Sequence, residues 1–504
     1  MNNNYKLQLY GVAEIRNIES LAIQNSISEK ELMFRAGNGV LLEIRKRWSK
    51  ARKIVVICGK GNNAGDGYVV ASLAKQVGLD VKILALAPEE ELMDETRNAA
   101  LECKSLDIPI KVFVKHELEN GDLIVDAIFG IGYSGDMSEE YVRVIEAINN
   151  SGLSVISVDV PSGIDAESGY IGQCVVKADM TVTMIGEKIG LYLGKARDYS
   201  GKILLNTLSL PANLYESSVA LVEKLDLVQE LEGLPIRKAS SHKGDFGHLL
   251  VIGGDYGMGG AVRIAAEAAL RSGAGLVSVA TRKENVIPIN ATRPEIMAYG
   301  IDIDNISQLD SLLVKATVVI LGPGLGIGKW SKVMFETAMR ANKLMVIDAD
   351  GLNILGGENY GPRENWVLTP HPGEAGRLLD VSSDEVQKDR LGCLNQLKNK
   401  YGGICVLKGC NSLIVSQNFE KIIVCDYGNA GMATGGMGDC LAGVIGGLLA
   451  QKIDLFSAVR LGVAVHAKAG DLTALKEGSI GIAALDLLPW IRKLLSRETV
   501  VFEN

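Results

Sequence analysis

Aromatic residues make up only 5% of the 504 residues, histidine occurs five times, and the eight cysteines form no Cys-x-x-Cys pair. Those cysteines (Cys58, Cys103, Cys174, Cys393, Cys405, Cys410, Cys425 and Cys440) are scattered, several within apolar runs. The pattern argues against a disulfide framework and against a zinc site. No apolar run is long enough to span a bilayer, and the polar stretch Met1 to Tyr10 lacks the apolar core of a signal peptide. A cytoplasmic location with no membrane partner is therefore expected. With 52 Lys+Arg against 60 Asp+Glu and a net charge of −8, there is no basic excess to hold a nucleic acid. Small molecules are the expected partners.

What the chain has in quantity is glycine, 57 residues of it, as in α/β proteins whose ligand loops bring backbone close to phosphate. Its length exceeds what one hydrophobic core usually organises, so two domains are expected. Short Val/Ile-rich runs alternate with helical patterns, which predicts α/β layers on largely parallel sheets. In the first half the predicted strands are Lys53 to Cys58, Val81 to Ala87, Leu123 to Ile128, Val155 to Val160, Met180 to Ile185 and Ile203 to Leu208. The pattern weakens between Leu210 and Ser241, where the boundary belongs. It resumes with His248 to Ile252, Leu276 to Ala280, Val318 to Leu321, Leu344 to Ile347, Val367 to Thr369 and Ile404 to Leu407, plus a hairpin from Ser412 to Val424.

Three strand-end loops in the first half carry unusual chemistry. Gly59-Lys60-Gly61-Asn62-Asn63-Ala64-Gly65-Asp66-Gly67 follows a strand and opens a helix, yet its asparagines and aspartate depart from a Gly-x-Gly-x-x-Gly dinucleotide loop. Val125-Asp126-Ala127-Ile128-Phe129-Gly130-Ile131-Gly132 and Val158-Asp159-Val160-Pro161-Ser162-Gly163-Ile164-Asp165 end two more strands. All three are expected to rise at one edge of the sheet, where open α/β sheets bind ligands. Either aspartate alone would also serve as a helix cap or turn former.

The second half carries an ordered set of its own. Ser241-His242-Lys243-Gly244-Asp245-Phe246-Gly247 precedes a strand ending in Gly253-Gly254-Asp255, and Gly322-Pro323-Gly324-Leu325-Gly326 ends another. Thr369-Pro370-His371-Pro372-Gly373-Glu374 places an imidazole and a carboxylate at a third strand end. Leu407-Lys408-Gly409-Cys410-Asn411-Ser412 and Gly428-Asn429-Ala430-Gly431 then lead to Gly435-Gly436-Met437-Gly438-Asp439, a glycine turn with a carboxylate behind it, ahead of the apolar run Cys440 to Ala450. Free backbone N–H groups at such a helix start suit an anion, and the aspartate is placed to take a proton from a hydroxyl. Taken alone, the same five residues also make an ordinary strand-to-helix turn with a capping aspartate.

The three loops of the first half resemble those of the NAD(P)H-hydrate epimerases, over Leu7 to Leu210. The resemblance implies a Rossmann-like domain, residues 1–215, that holds the hydrated nicotinamide nucleotide on Asn62, Asn63, Ala64, Gly65 and Asp66 and on Gly130, Ile131, Gly132, Tyr133, Ser134, Gly135 and Asp136. It also implies a substrate-contacting acid/base at Asp159 and a potassium ion on Asn63, Asp126 and Ser162. Glycine is common in that family where this chain has Ala64. From Pro235 to Leu495 the chain resembles the ADP- or ATP-dependent NAD(P)H-hydrate dehydratases, relatives of ribokinase-like kinases. That implies a ribokinase-like domain, residues 230–500, with nucleotide on Lys408, Gly409, Cys410, Asn411, Ser412 and Gly438, and hydrate on Ala261, Gly324, His371 and Asp439.

The two halves together resemble one bifunctional repair enzyme for NADHX and NADPHX. In the chemistry so implied, Asp439 is the catalytic base, the Gly435 to Gly438 amides stabilise the transferring phosphoryl group, and magnesium bridges the phosphates near Glu374 and Asn429. A homo-oligomer is expected. The rival readings are a small-alcohol or vitamin kinase in the second half and a non-catalytic nucleotide-binding regulatory module in the first.

Overall fold

The computed structural model describes residues 7–358 and 360–497. The expected domain limits at residues 1 and 500 lie outside the described residues. The chain divides into two compact units, Met1–Glu223 and Lys224–Asn504.

The strands of the first unit, in chain order, are β1 (Gln8–Tyr10), β2 (Lys53–Cys58), β3 (Asp80–Ala85), β4 (Ile110–Val112), β5 (Leu123–Ala127), β6 (Ser154–Val158), β7 (Met180–Met184), β8 (Glu187–Lys188), β9 (Lys202–Asn206) and β10 (Val222–Lys224), the last reaching the boundary. Seven of them make one sheet in the order β4-β3-β2-β5-β6-β7-β9, every neighbouring pair parallel. The order reverses between β2 and β5, so the helices that follow these two strands diverge and leave a crevice at their carboxyl ends. Because both faces of the sheet are covered, the strands read as near-continuous apolar runs: β5 is buried from end to end. Its one acid, Asp126, is wholly buried with it.

In the second unit the strands are β11 (His248–Ile252), β12 (Leu276–Thr281), β13 (Met297–Gly300), β14 (Val318–Leu321), β15 (Leu344–Ile347), β16 (Trp366–Leu368), β17 (Ile404–Leu407), β18 (Ser412–Ser416) and β19 (Phe419–Cys425). Within this unit the order is β13-β12-β11-β14-β15-β16-β17-β18-β19. Pairing is parallel as far as β17 and antiparallel through the closing hairpin.

Two helices carry the centre of the second unit, Gly259–Arg271 and Met437–Ala450. The latter is apolar all round and buried from Cys440 to Ala450, as a helix enclosed in a core must be. Glycines let it approach its neighbour closely: a Cβ at Gly443 would lie 2.3 Å from the Ala265 carbonyl, and one at Gly447 would lie 2.6 Å from that of Ala269. Gly443→Val is therefore expected to force the helices apart, destabilise this unit by about 2 kcal/mol as overpacked cores do, and so lower its unfolding midpoint. Calorimetry that leaves the midpoint unchanged would show the packing to be looser than described.

Candidate active sites

At the switch point of the first sheet lies a cavity of about 650 Å³. Of the residues expected to hold the nucleotide, Asn62, Asn63, Asp66, Gly130, Ile131, Gly132, Tyr133, Ser134, Asp136 and Asp159 line it, together with Glu19 and Lys188. Ala64, Gly65 and Gly135 do not. For Ala64 and Gly65 the structure shows why: Asn62–Gln76 is already helix, so the residues read from sequence as a loop are its first turns and half of them point inward. The Ala64 methyl sits fully buried in the hydrophobic core, away from the cavity.

Asp159 has φ +66, a left-handed backbone that few non-glycine residues adopt and that is often found at functional sites. One of its oxygens, Oδ1, accepts from the Met184 N–H at 2.9 Å, from Thr183 Oγ1 at 3.3 Å, and from the ammonium of Lys188. Lys188 is fully buried and also donates to the Met184 carbonyl at 2.6 Å. Burial, together with the charge of Asp159, pushes both Glu19 and Asp66 above the ordinary carboxylate range, Asp66 by far the more.

Beneath the cavity, Asp126 and Ser162 are fully buried and bonded to each other. Ser162 Oγ donates to Asp126 Oδ1 at 2.5 Å, and the Ser162 N–H and Ser157 Oγ donate to Oδ2 at 2.9 and 2.8 Å. Burial raises the Asp126 pKa, and these bonds pull it back only in part. Asn63 donates from Nδ2 to the Phe129 carbonyl at 2.9 Å, while its buried Oδ1 has no hydrogen-bond partner among the described residues. An orphaned amide oxygen and a buried carboxylate with no cation beside it suit a monovalent hard ion.

In the second unit, Asp439 occupies the first turn of Met437–Ala450, whose cap, Gly436, has φ +88. The first helical hydrogen bond runs from Cys440 N to the Gly436 carbonyl. The N–H groups of Met437, Gly438 and Asp439 thus precede it, one to two residues later than the expected set Gly435 to Gly438. Burial and the neighbouring charge of Asp348 raise the Asp439 pKa to about 7. Lys408 donates to Asp348 Oδ1 at 2.5 Å and lies 3.6 Å from Glu374 Oε2. Burial would lower the pKa of Lys408, yet the carboxylates of Asp348 and Glu374 win and it is raised. A Cβ at Gly438 would lie 3.2 Å from Lys408 Nζ, so only glycine leaves that space open.

Around this centre, a Cβ at Gly324 would lie 3.1 Å from that of Ala261, and one at Gly436 would meet Ile264 one turn further along the same helix. His371 is the cap of helix Pro372–Leu379, its Nδ1 accepting from the N–H groups of Gly373 and Glu374 at 3.0 and 3.3 Å. Burial lowers its pKa, so the neutral ring carries its hydrogen on Nε2. Glu374 closes the capping box at 2.8 Å and Asn429 bonds Asp471 and Gly431, so both residues expected near magnesium already hold structural bonds. The Gly409 to Ser412 turn rests on the buried Arg390, which donates to the carbonyls of Leu407 and Asn411. Cys410 is exposed on it.

A family model described as NAD(P)H-hydrate dehydratase matches residues 249–493, and one described as YjeF-related protein N-terminus matches residues 29–190. The bifunctional NAD(P)H-hydrate repair enzyme of Coxiella burnetii is 45% identical over 97% of this chain and 99% of its own length. That of Escherichia coli is 41% identical over 93% and 90%. The chain belongs to the bifunctional NAD(P)H-hydrate repair enzymes. Among solved structures, a ribokinase-like superfamily protein of Enterococcus faecalis is 28% identical with a TM-score of 0.50, covering 55% of this chain and 96% of that one. A Streptococcus mutans protein is 31% identical with a TM-score of 0.50, covering 54% and 98%. The second half of this repair enzyme is thus ribokinase-like.

Sequence reasoning missed Glu19, Lys188, Asp348 and Arg390. Lys188 had a signal, the charged pair Glu187-Lys188 set in the otherwise apolar run Met184 to Tyr192; the others sit in unremarkable helix or strand-end contexts.

The raised pKa of Asp439 has a stability consequence. Below the ordinary 3.8 both states are protonated; between there and about 7 the unfolded chain ionises while the folded one keeps its proton, so stability falls as pH rises through that window. Asp439→Asn removes the penalty. Its unfolding midpoint should exceed that of the parent by a few °C at pH 8 and match it at pH 4; equal midpoints at both pH values would mean that the carboxyl is ordinary.

Proposed function

We propose that the first domain, residues 1–215, interconverts the R and S hydrates of NADH and NADPH, and that the second, residues 230–500, dehydrates the S form at the expense of ADP or ATP. The observation that carries this is Asp439: a carboxyl titrating near 7, in the first turn of a buried helix, beside a lysine and an open glycine position. A base so tuned takes the proton of the ring hydroxyl as the oxygen attacks the terminal phosphoryl group. The N–H groups at the helix start meet the charge developing on that group, and Lys408 offsets the surrounding carboxylates. The ring nitrogen then pushes the new phosphate out, a ring proton is lost, and the carbon–carbon double bond of NAD(P)H returns. Nucleotide rests on Lys408 to Ser412 and Gly438, and hydrate on Ala261, Gly324, His371 and Asp439. The carboxylate-rich centre suits magnesium, which would neutralise phosphate charge.

In the first domain the nucleotide lies along Asn62 to Asp66 and Gly130 to Asp136, with Asp159 moving protons. The orphaned Asn63 Oδ1, with Asp126 and Ser162, fits potassium, which would fix the loops that carry Asn62 and Asp159.

Incubating the full chain with mixed R/S hydrate, ADP and magnesium should restore NADH absorbance completely, whereas half conversion would leave only the dehydratase. Asp439→Asn should lose dehydration by about a hundredfold to ten-thousandfold while still binding nucleotide. A phosphorylated product that persists without NADH would instead favour a kinase. Epimerisation should run faster in potassium than in lithium or salt-free buffer, and Asp126→Ala should lose that dependence while S-hydrate dehydration continues. Equal rates in all three buffers would remove the potassium assignment.

A further inference from the structure

Among the charged side chains that face the cavity of the first unit, four from four segments act on one another: Glu19 from helix Val12–Gln24, Asp66 from helix Asn62–Gln76, Asp159 after β6, and Lys188 of β8. Lys188 is matched by Asp159, to which its buried ammonium is bonded directly. Asp66 has no hydrogen bond or ion pair among the described residues, and it shares the cavity with Asp159 and Glu19. The lining carries five acids, Glu19, Glu29, Asp66, Asp136 and Asp159, against three cations, Arg16, Lys60 and Lys188, so the carboxylates are not all neutralised and the desolvated ones hold protons more tightly. Burial comes first among the causes that hold Asp66 well above its ordinary range, followed by the charges of Asp159 and Glu19, with Lys188 opposing them. The pair facing the cavity is thus a lysine-bound carboxylate and an unpaired carboxyl whose hold on a proton is strengthened.

Inverting the hydroxyl-bearing carbon of the hydrated ring calls for that pair. The simplest balanced route opens the ring. The hydroxyl loses its proton and becomes an aldehyde carbonyl, the carbon–nitrogen bond breaks with its electron pair going to nitrogen, and the nitrogen gains a proton. Rotation presents the other face of the aldehyde, and closure runs the same transfers backwards. No oxidant, reductant or further reactant is needed.

We propose that Asp66 is the second catalytic group of this unit, giving its proton to the ring nitrogen as the carbon–nitrogen bond opens while the Asp159 carboxylate takes the hydroxyl proton. The inference rests on the epimerase reading above. It gives Asp66, read so far only as a binding residue, the duty opposite to that of Asp159, and it explains why the chain places an unpaired acid against a salt-bridged one.

The test uses the full chain, pure R hydrate, ADP and magnesium, with the intact dehydratase reporting each R-to-S conversion as NADH. Asp66→Asn keeps the shape of the side chain and removes the transferable proton. It should lower kcat on R hydrate by about a hundredfold or more, as loss of a general acid does, with KM changed only a few-fold. In the parent, the rate should fall at high pH as Asp66 ionises, and the variant should lack that limb. The other charged groups facing the cavity are Arg16, Glu19, Glu29, Lys60, Asp136, Asp159 and Lys188, so two comparisons are made: Glu29→Gln, at an exposed position with no assigned duty, should keep kcat within a few-fold, and Glu19→Gln should keep the alkaline limb. A rise in KM with kcat unchanged for Asp66→Asn would make Asp66 a binding residue only. Loss of the alkaline limb in Glu19→Gln instead would move the role to Glu19. A parent enzyme that does not convert R hydrate sinks the epimerase reading itself, whereas an active parent with an equally active Asp66→Asn sinks this inference alone.

Discussion

Each unit gathers more carboxylates than cations around one buried lysine, and the chemistry of both sites follows from that imbalance. In the first, Glu19, Asp66 and Asp159 share a cavity with Lys188; in the second, Asp348, Glu374 and Asp439 surround Lys408. In each case one carboxylate takes the lysine at hydrogen-bond distance, Asp159 in the first and Asp348 in the second. Glu19, Asp66 and Asp439 are left desolvated and repelled by their neighbours, which raises their affinity for protons. The same residue type thereby becomes both a fixed charge and a proton carrier.

The scaffold makes this arrangement possible because parallel strands deliver side chains from distant parts of the chain to one edge. Asp159 follows β6, Asn63 follows β2 and Asp126 ends β5, while Asp348 follows β15 and Lys408 follows β17. Close helix packing then holds the proposed reacting groups in place. Gly443 and Gly447 press Met437–Ala450 against Gly259–Arg271, and both helices begin at the site, one with Asp439 and the other with Ala261. A rigid helix start is a better place for a proton-transfer group than a mobile loop.

Most of the strands were legible in the sequence because buried parallel strands are apolar runs that announce themselves. The short edge strands β4 and β13 were not: Ile110–Val112 and Met297–Gly300 are only partly buried and their composition resembles that of the loops around them. The candidate site was legible where the local pattern is unusual, as at Asn62-Asn63, which line the cavity, and Gly436 to Asp439, which start a buried helix. It was not where the partner is an ordinary residue brought near by topology. Nothing about Asp348 in its own neighbourhood says that it will hold Lys408, sixty residues away. The helical start at Asn62 was also hidden, since asparagine and glycine favour turns in isolation and only the tertiary environment makes the first turn of a helix of them.

The central claim is that burial and like charge, rather than an unusual residue, equip this protein to move protons. The most direct test is a carbon-13 NMR titration of the aspartate carboxyls in the full-length protein, with the spectrum of Asp439→Asn identifying the signal. The account predicts a midpoint for Asp439 near 7. A midpoint near the ordinary 3.8 would contradict it, because a fully ionised Asp439 would mean that its neighbours place no strain on its charge.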